Sequence, residues 1–281
     1  MSVAAECLPF GGMESKMAER AKEVWGSGGP YEQYVGRWSR IVASEFVTWL
    51  GVPSGHTWAD VGCGTGALVA CVLATSEPKS VFAIDRSKGF LAEAHKNIAD
   101  QRVRFAVADA SALPWASASC DATVSGLVLN FVPDAAAMVR EMVRVTRPSG
   151  RVAAYVWDYS GGMDMMRHFW DAAVAVNPDD AALDEAARFS LCQPEPLKML
   201  FHDAGLTSLA VRAIEIPTIF RDFADYWTPF LGKQGAAPTY LAALDGERRD
   251  RIHELLRVRL VPAADGSIPL SARAWAVQGT V

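Results

Sequence analysis

Three carboxylates and three glycines carry the chemistry most plainly. Asp60, Asp85 and Asp109 each close a short apolar run: Thr57-Trp58-Ala59-Asp60, Ser80-Val81-Phe82-Ala83-Ile84-Asp85 and Val103-Arg104-Phe105-Ala106-Val107-Ala108-Asp109. Gly62, Gly64 and Gly66 follow the first acid at alternate positions. Glycine admits backbone angles and a closeness of approach that a Cβ forbids, so the loop is built for a ligand that touches the main chain. A helix starting at Ala67 would aim its free N–H groups at the same place. An acid at the strand end suits a cationic ligand with a free ammonium and repels a pyrophosphate. Asp85 lies 19 residues beyond Gly66, a distance that suits a carboxylate accepting from both hydroxyls of a ribose.

Two phosphate-binding loops compete. The dinucleotide pattern G-x-G-x-x-G, read from Gly62, meets Ala67 at its third glycine, a permitted variant. Read from Gly64 it meets Val69. The P-loop pattern fails, because no lysine follows Gly66. What remains is D-x-G-x-G-x-G, which resembles motif I of the class I S-adenosylmethionine-dependent methyltransferases. A nicotinamide oxidoreductase stays open at this point, since Asp85 fits NAD equally well.

Later landmarks extend the resemblance over residues 58–157. Asp121 to Phe131 leads into Pro133-Asp134, a helix start, and Glu141-Met142-Val143-Arg144-Val145-Thr146-Arg147-Pro148-Ser149-Gly150 is similar to the E-x-x-R-V-(T/L)-(R/K)-P-G-G signature before the fifth strand. Ser149 stands in place of the first glycine. Upstream, Tyr31-Glu32-Gln33-Tyr34-Val35-Gly36-Arg37-Trp38-Ser39-Arg40 resembles a lead-in segment of the small-molecule, ubiquinone/menaquinone-biosynthesis-like (type 11) group. The resemblance implies S-adenosylmethionine as cofactor, S-adenosylhomocysteine as product and a small-molecule methyl acceptor. It implies cofactor contacts at Arg37, Asp60, Gly62, Gly64, Gly66, Asp85, Arg86, Asp109, Ala110 and Asn130. Asp109 would accept from the adenine amino group and the next backbone N–H would meet the ring. Arg37 would pair with the cofactor carboxylate, or else form a surface ion pair.

These residues need a frame. Runs at 57–61, 80–85, 103–109, 122–129 and 151–157 alternate with helical patterns near 67–75, 88–99 and 134–146. That alternation predicts an α/β, Rossmann-like, doubly wound and mostly parallel sheet, with the ligand at the carboxyl ends of the first and fourth strands. The family's sheet has seven strands and an antiparallel last one, here 268–280 after a sixth at 207–216. Residues 160–190 and 217–265 read as helical insertions forming a lid. The division expected is 1–50, a helical lead-in broken at 25–30; 51–159, the cofactor core; and 160–281, the lid plus the last two strands.

Composition allows this. The chain has 281 residues, 51% hydrophobic and 21% charged, with net charge −5, an ordinary globular balance. No basic stripe suggests nucleic acid. The run Arg248-Arg249-Asp250-Arg251 alternates with acids at helical spacing and reads as a solvated helix face. Five scattered cysteines without C-x-x-C suggest reduced thiols in a cytoplasmic protein and no metal site. Cys63, inside the loop, reads as a small tolerated residue more than as a reactive thiol. The first residues lack a signal-peptide pattern, and no apolar run approaches the ~20 residues of a membrane span.

Methyl transfer asks little acid–base chemistry of a protein beyond alignment and exclusion of water. If the acceptor is a hydroxyl or amine, a base could help; His168, Tyr159, Asp158, Tyr31 and Tyr34 are the candidates. Met163, Met165, Met166, Phe169 and Trp170 divide evenly between pocket lining and helix core. Trp38 reads equally as a cofactor cover or a core residue. A cofactor-binding sensor or partner subunit without turnover fits the same pattern.

Overall fold

The strand Thr57–Val61 (β1) is buried along its whole length, as a central parallel strand covered on both faces must be. In the computed structural model, which describes residues 35–232 and 235–281, it is the axis of a seven-stranded sheet. Ser80–Asp85 (β2) and Val103–Val107 (β3) lie on one side of it, and Cys120–Gly126 (β4) and Thr146–Trp157 (β5) on the other. Ile268–Thr280 (β7) and Thr207–Phe220 (β6) complete the order β3-β2-β1-β4-β5-β7-β6. Pairing is parallel through β5 and antiparallel for β5/β7 and β6/β7. Chain order reverses between β1 and β4, and that switch point opens the crevice at their carboxyl ends.

Helix Arg37–Leu50 (α1) precedes β1, and Ala67–Thr75 (α2), Lys88–Asn97 (α3) and Ala135–Val145 (α4) lie in the crossovers between parallel strands. Their ends obey local chemistry. Ser87 and Asp134 cap α3 and α4 by accepting from Phe90 N–H and Ala137 N–H, at 3.3 and 2.7 Å. The 57–61, 67–75 and 80–85 elements fall where the sequence predicts. The fourth strand does not reach 129. Leu127 takes φ +61°, which ends it, and a 3₁₀ turn follows at Leu129–Phe131. The fifth begins earlier, at Thr146, with Ser149 in the left-handed region at φ +64°. β6 runs on to Phe220, so 217–220 is sheet and not insertion.

After β5 come Asp164–Val176 (α5), Glu185–Arg188 (α6) and Pro194–Asp203 (α7), and after β6 Phe223–Trp227 (α8), Ala236–Ala243 (α9) and Gly246–Arg259 (α10). α5 packs against α10 and β7. Its buried stripe builds an aromatic core: Phe169 stacks on Phe230 with centroids 4.5 Å apart, Trp170 meets Tyr240 at 5.2 Å, and the Tyr226 hydroxyl donates to Met165 O at 2.9 Å. Met163, Met165, Met166, Phe169 and Trp170 are all buried, so they are core. Among the described residues no helix is long and apolar enough to cross a membrane.

Candidate functional site

Glycine is required in the β1–α2 loop for two different reasons. Gly62 and Gly66 have φ +79° and +93°, and a Cβ at either would meet a neighbour, Val128 at 2.7 Å or Ile98 at 2.6 Å. Gly64, at φ +53°, would meet nothing within 4 Å, so its backbone borders open space. The loop is fixed from below. The N–H groups of Gly62 and Cys63 both donate to Ile84 O at 2.8 Å, and Gly64 N–H donates to Asp85 Oδ2 at 3.0 Å. Asp85 Oδ1 accepts from Ser87 N–H at 2.7 Å. Cys63 is buried, and burial pushes its thiol well up, with Asp60 and Asp85 adding to the effect; that is the inert reading.

Asp60 is the anomaly of the site. It is 1% exposed, and neither carboxylate oxygen has a hydrogen-bond partner. Burial, with a contribution from Asp85, pushes its pKa up to about 8. Bare buried carboxylates are costly, and a folded protein keeps one where a ligand completes it. The β1/β2 register pairs Asp60 with Ala83, so Asp60 and Asp85 share one sheet face. Burial raises Asp85 too, against the Ser87 and Gly64 N–H bonds that lower it. Beyond the end of β4, both polar atoms of the Asn130 side chain are likewise buried and unpartnered.

Other expected residues are placed differently. Asp109 is exposed and closes a turn by accepting from Ser111 N–H at 2.7 Å, with Ala110 beside it; Arg86 is exposed next to Asp85. Arg37 is held at the β6 edge. Its Nη1 binds Asp225 at 3.0 Å, and its guanidinium lies 4.6 Å from both the Trp38 and Phe220 rings, with Nε and Nη2 buried and unpartnered. Trp38 packs edge-on against Phe220 at 5.7 Å.

The base candidates separate. Asp158 is an anchor: its Oδ2 binds Arg273 at 2.7 Å and its Oδ1 takes Ser160 N–H at 3.1 Å, which ties the turn after β5 to β7. His168 sits on α5 in the field of Asp164, Arg259 and Asp171, and burial lowers its pKa. Tyr159 is buried with its ring 5.4 Å from Phe189, which meets Phe131 at 5.2 Å, the residue after Asn130. Tyr31 and Tyr34 lie outside the described residues. Sequence reasoning missed Phe189, Val128, and Ser125, whose hydroxyl donates to Val61 O at 2.8 Å. None carries a local signal, because each acts through a partner distant in sequence.

Comparison with known proteins bears on the family and the fold. A family model described as "Methyltransferase domain" matches residues 59–154. The ubiquinone/menaquinone biosynthesis C-methyltransferase UbiE of Desulfotalea psychrophila is 33% identical over 115 residues, 41% of this chain and 45% of that one; this chain therefore spans less than half of that relative. Methyltransferase GfsG of Streptomyces halstedii is 32% identical over 67% of this chain and 68% of its own. A demethylmenaquinone methyltransferase of Beutenbergia cavernae is 36% identical over 58% and 70%. Among solved structures, phosphoethanolamine N-methyltransferase 2 of Haemonchus contortus, in complex with S-adenosyl-L-methionine, superposes with TM-score 0.52 over 85% of this chain and 51% of that one at 16% identity. A SAM-dependent methyltransferase of Thermotoga maritima gives 0.51 over 89% and 94%, also at 16%. Those two likenesses speak for the fold alone. With a sheet ordered 3-2-1-4-5-7-6, an acid–glycine loop at its switch point and relatives this similar over two thirds of their length, the chain belongs to the class I S-adenosylmethionine-dependent methyltransferases of the UbiE-like type.

Proposed function

We propose that this protein transfers a methyl group from S-adenosylmethionine to a small-molecule acceptor by in-line displacement. The observation that carries the reading is Asp60, a fully buried carboxylate without a partner beside a loop whose Gly64 backbone borders open space. That donor set fits the cofactor: an anion for its cationic end, Asp85 for its ribose, Asp109 and Ala110 for its adenine. When bound, S-adenosylmethionine supplies an electrophilic methyl on a sulfonium, so the chain's own task is placement. Gly62 and Gly66 shape the loop, and Asn130 borders the region above β4. The helices of 160–281 cover the acceptor and exclude water. Of the base candidates we favour Tyr159, which is buried with its ring against Phe189, itself packed on Phe131.

Titration calorimetry with S-adenosylmethionine, followed by a turnover assay across phenols, amines, thiols and carbon acids, tests the reading. One-site binding and methylation of at least one acceptor are expected. A folded protein that does not bind the cofactor would overturn it; binding without turnover across the panel would defeat the transfer step.

A further inference from the structure

The segment from Ala108 to Ser119 has one end fixed by the sheet, through Ala108 N–H to Asp85 O at 3.3 Å. Its middle crosses no strand, yet its backbone groups still need partners. Two side chains of α4 provide them. Glu141 Oε2 accepts Leu113 N–H at 2.7 Å. Arg144 donates through Nη2 to Leu113 O at 3.0 Å and through Nη1 to Trp115 O at 2.9 Å. The two are locked to each other by a bidentate pair, Nε to Oε1 at 2.6 Å and Nη2 to Oε2 at 2.8 Å. Arg144 thus spends its planar fork on five oxygens, the Ser117 hydroxyl at 3.5 Å included, in a fixed arrangement that a lysine would not reproduce. The pair holds Leu113 in the core at 5% exposure, only four residues past Asp109, whose own turn closes from Asp109 O to Ala112 N–H at 3.1 Å.

We propose that Glu141 and Arg144 are positioning residues that set the protein's selectivity for the adenine ring, by fixing the loop that carries Asp109 and Ala110. The inference rests on the cofactor reading above and goes beyond it. It assigns base discrimination to two side chains that touch no ligand. A carboxylate fixed at Asp109 accepts from a 6-amino group and repels a 6-oxo group. A loosened loop lets the carboxylate swing away and tolerates either.

The test compares S-adenosylhomocysteine with S-inosylhomocysteine by calorimetry on the full chain. Wild type is expected to prefer the adenine compound. Arg144→Ala should shrink that preference about tenfold, the worth of one charge-assisted hydrogen bond, while Arg144→Lys falls between. Glu141→Gln, which keeps an oxygen for Leu113 N–H, serves if Arg144→Ala does not fold, and it should also lose selectivity. A merely structural pair would lower thermal stability and weaken both ligands in proportion, leaving the ratio intact; that overturns the inference while the cofactor reading stands. Equal wild-type affinity for the two compounds overturns it as well. Wild type that binds neither compound overturns both.

Discussion

The two halves of this molecule are held together by opposite means. At the carboxyl ends of β1, β2 and β4 the structure keeps a bare carboxylate, an unpartnered amide and three left-handed glycines. In the layer of α5 and α8–α10 it buries rings against rings, with Phe169, Trp170, Tyr226, Phe230 and Tyr240 in one cluster. The first half gives up stability to remain ready for a ligand; the second supplies stability and shape. Removing the bare carboxylate should therefore raise stability, whereas removing a buried ring lowers it.

Phe169→Ala removes a ring stacked on Phe230 and should cost about 4 kcal/mol in denaturant unfolding. Under conditions where the variant stays folded, cofactor affinity should hold within about twofold. A large affinity loss there would erase the division between the halves. Gly62→Ala forces a Cβ to φ +79° and into Val128. Strain and overpacking together should cost about 3 kcal/mol, and here affinity should fall too. Asp60→Asn should go the other way. Asp60 has a folded pKa raised to about 8 against 3.8. Between about pH 4 and 8 the unfolded chain's carboxyl ionises while the buried one holds its proton, so stability is lost progressively as pH rises through that window. The amide avoids that cost but is itself unpaired, so the variant should be about 2 kcal/mol more stable than wild type at pH 8 and lose the advantage near pH 4. A variant less stable at pH 8 would mean that Asp60 has a stabilising partner. Smallest is Ser149→Gly. It relieves a non-glycine residue at φ +64° and should raise stability by about 1 kcal/mol; a loss would show that the serine hydroxyl holds the turn.

The same division explains what could be read from the sequence. The acid–glycine loop and the β1–α2–β2 boundaries depend on local chemistry, on which residues tolerate positive φ and where an apolar run stops. They were legible to within a residue. Ser149 shows the limit of a motif, since its departure from glycine is visible but its strained φ is not. Leu127 ends β4 by a backbone turn that an apolar residue does not announce. Asp158 has the composition and place of a site residue, and only its partner Arg273, 115 positions later, makes it an anchor. Met165 and Phe169 looked alike as pocket or core until α8–α10 were packed against them. Long-range partners decided each of these cases, and no spacing rule contains them.

The central claim is that Asp60 is kept bare for the cationic end of the methyl donor. Titration of wild type with S-adenosylmethionine at pH 7, in buffers of different ionisation enthalpy, tests it most directly. Free Asp60 is mostly protonated at that pH, and a cation beside it stabilises the ionised form. Binding should therefore release close to one proton and tighten as pH rises toward 8. Asp60→Asn should bind at least about tenfold more weakly, without proton release. Wild-type binding with no proton release, matched by an unchanged affinity in Asp60→Asn, would contradict the account.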